Sequence, residues 1–286
     1  MDWIDRLNLS LEYIESNLDK TIELSKASGI ACCSVYHYQR IFSLIAGISL
    51  GEYIRNRRLT LAGYDLQNSS VSVIDVGLKY GYQSPTSFTR AFLKLHGITP
   101  KQAKHHGSFL KSYPKFSFQI MIGGQGELQY RIEEKPTFRL IGIKETVYND
   151  GINNFIRIPK MWQEAHKKGK VEEIFKLSNG TVWGVMGALS NYTDDSVDYY
   201  IVSTSDEPIP KGMEELHVEA GLWVIFSCYG RESIQPIWKR IYGEWFPMSG
   251  YEHSGGTEIE WYSDGELDAS NYLTEIWIPI KKERKK

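Results

Sequence analysis

The stretch Asp75–Pro100, DVGLKYGYQSPTSFTRAFLKLHGITP, decides the fold of the first part of the chain. It predicts a short helix, a glycine turn and a second helix that opens at Ser84-Pro85. Serine at an N-cap accepts a backbone N–H, and proline at the first helical position loses no hydrogen bond. The second helix carries an apolar stripe and a polar edge: Phe88, Ala91, Phe92 and Leu95 against Thr86, Ser87, Thr89 and Arg90. Two helices joined in this way are typical of a helix-turn-helix.

A similar pattern precedes this stretch. Apolar spacing predicts helices over 4–18, 21–29, 33–46, 50–66 and 71–80, and a last helical turn from Thr99-Pro100. In helix 33–46, Tyr36, Gln39 and Arg40 share one face, because residues three and four apart are neighbours on a helix. We therefore predict an all-α domain of two helix-turn-helix triplets joined by the long helix.

The spacing of fixed positions makes the resemblance specific. The chain has Gly29-Ile30, Tyr38-Gln39-Arg40-Ile41-Phe42, Gly47-Ile48-Ser49, Gly81-Tyr82 and Gly97-Ile98-Thr99-Pro100 at matching intervals. Over about residues 5–108, this pattern resembles the DNA-binding domain of the AraC/XylS family. The resemblance implies a transcriptional regulator that binds double-stranded DNA.

The same resemblance implies recognition helices at 34–46 and 85–95. The positions that match the base-facing sites of the family are Tyr36, Gln39, Arg40, Thr86, Ser87 and Arg90. Arginine can donate twice to guanine, glutamine can pair with adenine, and threonine or tyrosine can contact a thymine methyl. For either arginine alone, a phosphate contact or a solvated surface position remains an alternative. Two readers would enter successive major grooves, roughly 34 Å apart.

Charge and composition divide the chain. Its 286 residues have a net charge of −2, but residues 1–112 carry 13 basic and 9 acidic side chains, whereas the remainder carries 20 and 26. The cysteines at 32, 33 and 228 form no disulfide or metal-ligand pattern. No signal sequence or membrane-length apolar run occurs, so we expect a cytoplasmic protein with no membrane partner. We also expect no metal, cofactor or catalytic residue, because no phosphate loop or nucleophile–base constellation is found.

From residue 129 the patterns indicate strands. A strand–helix–strand–strand unit occurs twice, and each helix carries a tryptophan shortly after a proline: Pro159 to Trp162 and Pro236 to Trp238. A duplicated βαββ module predicts an α+β domain with one sheet and helices on one face. The predicted division is a DNA-binding domain at 1–108, a linker at 109–127 that includes Gly123, Gly124 and Gly126, and a second domain at 128–286.

This second arrangement resembles the GyrI-like effector-binding domain. The similar motifs are Pro136, Arg139-Leu140-Ile141-Gly142, the tryptophan-bearing second helix and the final strand Tyr272–Ile280. The resemblance implies a small-molecule effector and maps a pocket carboxylate onto Glu275. Period-two alternation puts Glu275 and Trp277 on one face of that strand, and Ile276, Ile278 and Ile280 on the face expected under the helices.

An anionic group among aromatic rings is suited to a lipophilic cation. Seven of the eight tryptophans and eleven of the eighteen tyrosines lie beyond residue 112. Most of them are expected in the core. A subset is predicted to line a ligand cavity: Trp183, Tyr192, Trp223 and Trp245. Glu260, beside Trp261, is the second candidate carboxylate.

Three functions remain open at this point. The first is a transcription regulator that senses a small hydrophobic or cationic ligand. The second is a hydrolase of small reactive compounds in which Glu275 activates water. The third treats the acidic second part as a platform for a basic protein partner such as RNA polymerase or gyrase.

Overall fold

The computed structural model describes residues 3–68, 70–105, 107–118, 127–148, 153–193, 196–229, 234–263 and 272–282. The chain forms two compact units. The first comprises Met1–Val35 and Ile48–Gln119, and the second comprises Tyr36–Gly47 and Ile120–Lys286. The segment Tyr36–Gly47 therefore belongs to the same unit as Ile120–Lys286.

Seven helices occupy the described residues between 3 and 105, as predicted. Their bounds are α1 Trp3–Glu15, α2 Leu24–Ile30, α3 Val35–Ala46, α4 Leu50–Asn68, α5 Val73–Lys79, α6 Pro85–His96 and α7 Pro100–Ala103. The second helix begins at Leu24 with Glu23 as its N-cap, not at Thr21. The all-α arrangement of two helix-turn-helix triplets is confirmed.

Helix α6 forms as its sequence dictates. The Ser84 side chain accepts the backbone N–H of Ser87, Pro85 is the first helical residue, and Gly97 ends the helix with a φ of 78°. This left-handed conformation favours glycine. Phe88 and Phe92 are completely buried and pack with residues of α4 and α5, among them Leu59 and Val76. Each buried phenylalanine contributes about 1.5–3 kcal/mol to the stability of the first unit.

The described part of the predicted linker is bound along the first unit. The Tyr113 N–H donates to Thr60 Oγ1 at 3.0 Å, and the Phe116 ring stacks on Tyr53 with centroids 4.9 Å apart. The Phe118 N–H donates to Asn8 Oδ1 at 2.8 Å. Tyr113, Phe116 and Phe118 therefore hold this segment against the first unit, although Phe109 is exposed. The predicted glycine-rich part with Gly123, Gly124 and Gly126 lies outside the described residues. The domain boundaries stay a prediction.

The second unit contains a sheet and further helices. In chain order these are β1 Gln129–Lys135, β2 Phe138–Tyr148, α8 Asn153–Lys167, α9 Lys170–Phe175, β3 Met186–Ser190, β4 Ser196–Thr204, β5 Glu214–Val218, β6 Gly221–Tyr229, α10 Ile234–Arg240, a π-helical segment Ile241–Trp245, α11 Phe246–Ser249, β7 Tyr251–His253, β8 Glu258–Tyr262 and β9 Leu273–Lys282. The α+β class predicted for this part of the chain is confirmed.

The sheet has the order β1-β6-β9-β8-β3-β4-β2-β5, with β7 beside β9, and every pairing is antiparallel. The order β1-β6-β9-β8 matches β5-β2-β4-β3 strand for strand, which confirms the predicted duplication. The two halves meet where β3 pairs with β8, with Gly187 opposite Glu260. The centre of the pseudo-symmetric sheet is therefore built from one strand of each copy.

Two strand predictions were wrong in detail. The predicted strand 217–229 is two strands, because β5 pairs with β2 whereas β6 pairs with β1 and β9. The predicted strand from Thr181 begins only at Met186. Gly184 interrupts it with a φ of 95°, and the Val182 N–H donates to a side chain, Thr204 Oγ1, at 3.2 Å.

Each face of the sheet carries its own core. One face packs Leu140, Tyr200, Trp223 and Trp277, with further apolar residues of both halves. The other face packs Ile141, Tyr199 and Ile201 with Met161 and Ala165 of α8, and this core includes Tyr36 of α3. Because alternate residues of a strand point to opposite faces, the second, helix-covered face is also where Glu258 and Glu260 lie.

Candidate functional site

Two buried carboxylates mark the helix-covered face of the sheet. Glu258 and Glu260 are alternate residues of β8, so both side chains lie on the same face. Glu258 is 0% exposed and Glu260 is 7% exposed. Burial of an ionised carboxylate is costly unless it is paired and hydrogen-bonded. The partners of these two groups therefore define the site.

Glu260 accepts three hydrogen bonds from aromatic side chains. The Trp238 indole N–H donates to Oε1 at 2.9 Å. The hydroxyls of Tyr262 and Tyr199 donate to Oε2 at 3.2 Å and 3.4 Å. Burial, and then the Glu260 charge, raises the pKa of both tyrosines well above the usual value. Both phenols are therefore protonated donors at neutral pH.

Glu258 has a second set of partners. The hydroxyls of Tyr242 and Tyr192 donate to Oε1 at 2.9 Å and to Oε2 at 3.1 Å. The Arg40 guanidinium of α3 forms an ion pair with Oε2 and lies over the Trp238 ring, 4.2 Å from its centroid. We call Glu258, Glu260 and these aromatic donors the carboxylate site.

Each copy of the module supplies a helical tryptophan to this face. In α8, the Trp162 N–H donates to the Tyr199 hydroxyl at 2.9 Å, and in α10 Trp238 reaches Glu260 directly. Gly187 makes room for this network, because a Cβ there would lie 2.2 Å from the Tyr199 hydroxyl. The tryptophans that follow the two prolines in sequence therefore have related roles in the structure.

Two histidines border Glu258. Burial, with His253 and Arg40, holds the pKa of His37 well below its usual value, and burial, with Arg40 and Lys281, lowers the pKa of His253 to about 3. Both rings are therefore neutral at neutral pH. Since the Tyr242 hydroxyl proton goes to Glu258, the His37 Nε2–H donates to the Tyr242 oxygen at 3.0 Å.

Donor atoms of His37, His253 and Glu258 lie within 4.8 Å of one another. The set nevertheless does not fit a metal ion. His253 Nδ1 accepts the Gly255 N–H at 2.9 Å, so the neutral ring carries its proton on Nε2, the atom that faces Glu258. A cation at this position would also be close to the Arg40 guanidinium, which pairs with the same carboxylate.

The predicted pocket carboxylate lies elsewhere. Glu275 accepts the Arg131 guanidinium at 2.7 Å and 3.1 Å and the Trp277 N–H at 2.8 Å. Trp277 belongs to the core of the opposite face and has Lys135 4.6 Å from its ring centroid. The structure thus brings Glu275 and Trp277 together on the face that lacks Glu258 and Glu260, and their ligand-binding role stays a prediction.

Of the four other aromatic residues predicted for a ligand cavity, Tyr192 belongs to the carboxylate site. Trp183 is 54% exposed and packs edge-on against Phe175. Trp223 is buried in the core of the opposite face. Trp245 packs among aromatic rings that include Phe226. These four residues therefore lie in four different environments and do not line one common cavity in this structure.

The base-facing residues predicted in α6 lie on its open edge. Thr86, Ser87 and Arg90 are exposed, whereas Phe88 between them is buried. The Ser87 hydroxyl donates back to the Ser84 carbonyl at 2.7 Å. Within the part of the chain that the structure describes, Arg90 forms no ion pair. A guanidinium held at the exposed edge of a rigid helix is suited to a guanine or a phosphate.

The matching residues of α3 have different surroundings. Tyr36 is buried, with its ring 4.4 Å from that of Tyr192. Arg40 is 14% exposed and paired with Glu258, and Gln39 is half-buried. In this structure two of these three side chains face the carboxylate site, so their predicted contact with DNA stays a prediction.

Sequence reasoning ranked Glu260 second and did not select Glu258, Tyr199, Tyr242 or Tyr262. A signal for these residues was present. Glu260 pairs across strands with Ile276, and cross-strand partners share a face. Because the isoleucines of β9 were expected under the helices, Glu260 had to lie there too, beside the two helical tryptophans.

Comparison with known proteins identifies the class. Residues 128–281 match the GyrI-like small molecule binding domain, and residues 28–106 match a helix-turn-helix domain. The first match covers more than half of the chain, so the chain belongs to the GyrI-like family. Together with its AraC-type helix-turn-helix domain, this makes it a transcriptional regulator, which confirms both predicted resemblances.

Similar proteins share the whole chain or part of it. The transcriptional regulator Rob of Salmonella typhimurium is 36% identical over 289 residues, which cover 95% of this chain and 96% of Rob. The probable transcription factor PqrA of Proteus vulgaris is 36% identical over 104 residues, which cover 36% of this chain and 85% of PqrA. The structure of SAV2435 bound to tetraphenylphosphonium has a TM-score of 0.50 and 24% identity, over 54% of this chain and 94% of that chain, and shows the fold.

Among the described residues, none of the helices combines the length and the apolar character needed to span a membrane.

Proposed function

We propose that this transcriptional regulator senses a hydrophobic organic cation through Glu258 and Glu260, and that α6 reads DNA bases with Thr86, Ser87 and Arg90. The single observation that carries the ligand class is the pair of buried carboxylates among aromatic donors. A carboxylate attracts a cation strongly where water is excluded, and ring faces add to that attraction.

The chemistry of the site argues for an organic cation over a small hydrated ion. Tyr192, Tyr199 and Tyr242 present flat apolar rings as well as hydroxyls, and Trp238 already accepts a flat guanidinium on its face. A delocalised cation is weakly hydrated and gains more from such surfaces. SAV2435, which has this fold, was solved with tetraphenylphosphonium, so that cation is a suitable probe.

The experiment is a titration of the full chain with tetraphenylphosphonium, followed by tryptophan fluorescence. We expect saturable quenching, since Trp162 and Trp238 are hydrogen-bonded within the network. Glu260→Gln should weaken binding at least about tenfold, because it removes a charge and keeps the shape. Glu275→Gln is the matched control, since Glu275 is equally buried but lies on the opposite face. It should change the affinity less than twofold.

If Glu275→Gln weakened binding more than Glu260→Gln, the ligand site would be at Glu275 and Trp277, as the sequence predicted. Turnover of a reactive compound, supplied in place of tetraphenylphosphonium, would favour the hydrolase, with Glu260 in the place of a general base. RNA polymerase stays a predicted partner of the acidic second part, and the cytosol stays the predicted compartment.

A further inference from the structure

A built-in cation already occupies the carboxylate site. Among the described residues, Arg40 is the one lysine or arginine side chain that pairs with Glu258 or Glu260. Its guanidinium contacts Glu258 at one end and covers the Trp238 ring 4.2 Å away. A flat, delocalised cation that is paired with a carboxylate and stacked on an aromatic ring has the chemistry proposed above for the effector.

Other residues of α3 extend this contact. The Tyr36 ring lies 4.4 Å from that of Tyr192, which itself donates to Glu258. His37 donates to Tyr242, the other tyrosine bound to Glu258. Tyr36, His37 and Arg40 thus approach the same carboxylate from one turn of α3, and all three lie in the compact unit that contains the sheet.

We propose that α3 is an internal ligand of the carboxylate site, and that an effector cation and α3 compete for Glu258. This inference rests on the proposed cation site and adds its regulation. Removal of α3 takes Arg40 away from the buried Glu258 and leaves that carboxylate without its arginine partner, which is strongly unfavourable. A cation that takes the place of Arg40 removes this penalty, so the two occupants exclude each other.

The competition has a consequence for DNA. Tyr36 and Arg40 are the residues of α3 that match base-facing positions, and neither can reach a base pair while it faces Glu258. The corresponding residues of α6 are exposed. The polar edge of α6 is therefore available to DNA, whereas the matching edge of α3 is bound at the carboxylate site. A ligand that binds only the released state raises the affinity for DNA that both readers contact, and such DNA raises the affinity for the ligand by the same factor.

The first test measures affinity. Arg40→Ala removes the internal cation from the full chain, and we expect tetraphenylphosphonium to bind about tenfold more tightly. Arg90→Ala is the matched control, since it removes an arginine from the open helix; its affinity should stay within twofold of the wild type. If Arg40→Ala proves too unstable, Arg40→Lys keeps the charge but loses the flat stacking, and should show a smaller gain.

The second test measures release directly by hydrogen–deuterium exchange. Saturating tetraphenylphosphonium should speed exchange of the amides in α3 by about tenfold or more and leave those of α6 unchanged. If the cation binds the wild type saturably while α3 exchange and the Arg40→Ala affinity stay the same, the internal-ligand inference is overturned and the proposed cation site stands.

Failure of the proposed function has a different signature. If there is no cation site, tetraphenylphosphonium binds neither the wild type nor Arg40→Ala. This result would exclude both the cation site and the competition between a cation and α3. Docking of α3 is then decided without ligand, by Glu258→Gln. Faster exchange confined to α3 would support the docked helix, and unchanged exchange would overturn it as well.

Discussion

Helices α3 and α6 are matching helices of the two helix-turn-helix copies, but their surroundings differ. Each has 12 residues, and each is followed by a left-handed glycine, Gly47 with a φ of 71° and Gly97 with a φ of 78°. The polar edge of α6 is exposed, whereas the matching edge of α3 belongs to the core beside the carboxylate site. Local sequence therefore determines that a helix forms, and its neighbours determine whether its edge is available.

The chemistry of the two edges explains this difference. The edge of α6 presents threonine, serine and arginine, which gain little from burial. The edge of α3 presents Tyr36, His37 and Arg40, and the two aromatic rings gain from contact with other rings. Glu258 supplies the charge that Arg40 needs when it is removed from water.

The largest effect is expected on the anchored side of α6. Phe88→Ala should lower the free energy of unfolding of the first unit by about 3–5 kcal/mol, because it leaves a cavity among completely buried side chains. Urea unfolding followed by circular dichroism measures this loss. Leu93→Ala on the same helix is the control, since Leu93 is 44% exposed, and it should cost far less. Equal losses would mean that α6 is not anchored through Phe88.

The next effect separates the two readers on DNA. On a duplex selected from a random pool by the ligand-free protein, Arg90→Ala should weaken binding by about 1–3 kcal/mol, the range for a lost bidentate base contact. Arg40→Ala should change it less than twofold, because α3 is held. Affinities measured on random duplexes separate base contacts from phosphate contacts. An equal loss from both variants in the absence of ligand would show that both helices read DNA together.

A third effect depends on pH. The folded pKa of His253 is about 3, below the ordinary value of about 6.5 for an unfolded histidine. Between these values the unfolded chain binds more protons, so stability present above pH 6.5 is lost as the pH falls. The part of this loss that comes from His253 should reach about 2 kcal/mol at pH 5, and His37, whose pKa is also lowered by burial, adds its own part.

Urea unfolding followed by tryptophan fluorescence measures this loss, since most tryptophans lie in the second unit. His253→Gln should make the loss between pH 7 and pH 5 smaller by about 2 kcal/mol, while the part that comes from His37 remains. The exposed His217 offers the control His217→Gln, which should leave the profile as in the wild type. An unchanged profile for His253→Gln would show that this ring does not carry the acid sensitivity.

The smallest effect tests the likeness of the two copies. Gly47→Ala and Gly97→Ala should each lower the free energy of unfolding by about 1 kcal/mol, because both glycines have left-handed conformations and a Cβ at either would meet no neighbour. Gly29→Ala, with equal space and no positive φ, is the control and should not destabilise. A cost at only one of the two turns would break the equivalence of α3 and α6.

The helices and the class of both domains could be predicted because their signals are local. Ser84-Pro85 and Gly97 mark the ends of α6, and the spacing of Phe88 and Phe92 marks its buried face. Two strand bounds were wrong, since Gly184 interrupts one predicted strand and the pairing of β5 with β2 divides another. The alternation of apolar and polar residues along a strand does not predict which strands pair. It also does not predict where the chain crosses from one edge of the sheet to the other.

The candidate site was harder to predict because it depends on which face of the sheet is used. The alternation of side chains along β9 places Glu275 and the isoleucines on opposite faces. It does not predict which face holds a carboxylate that is available to a ligand. Arg131 neutralises Glu275 from a distant strand, and Arg40 neutralises Glu258 from a helix more than 200 residues earlier in the sequence. Ion pairs between residues so far apart in the sequence produce no pattern in either local segment.

By itself, the sequence determined two helix-turn-helix copies, their capped ends and a duplicated α+β module, because hydrogen bonds between near neighbours and apolar periodicity are properties of short segments. Only the tertiary structure decided that Glu258 and Glu260 share a buried face with Tyr199 and Trp238, and that Arg40 is held there while Arg90 is exposed. Those outcomes follow from burial and charge pairing between residues far apart in the chain, whose energies depend on the folded surroundings and not on the residue types alone.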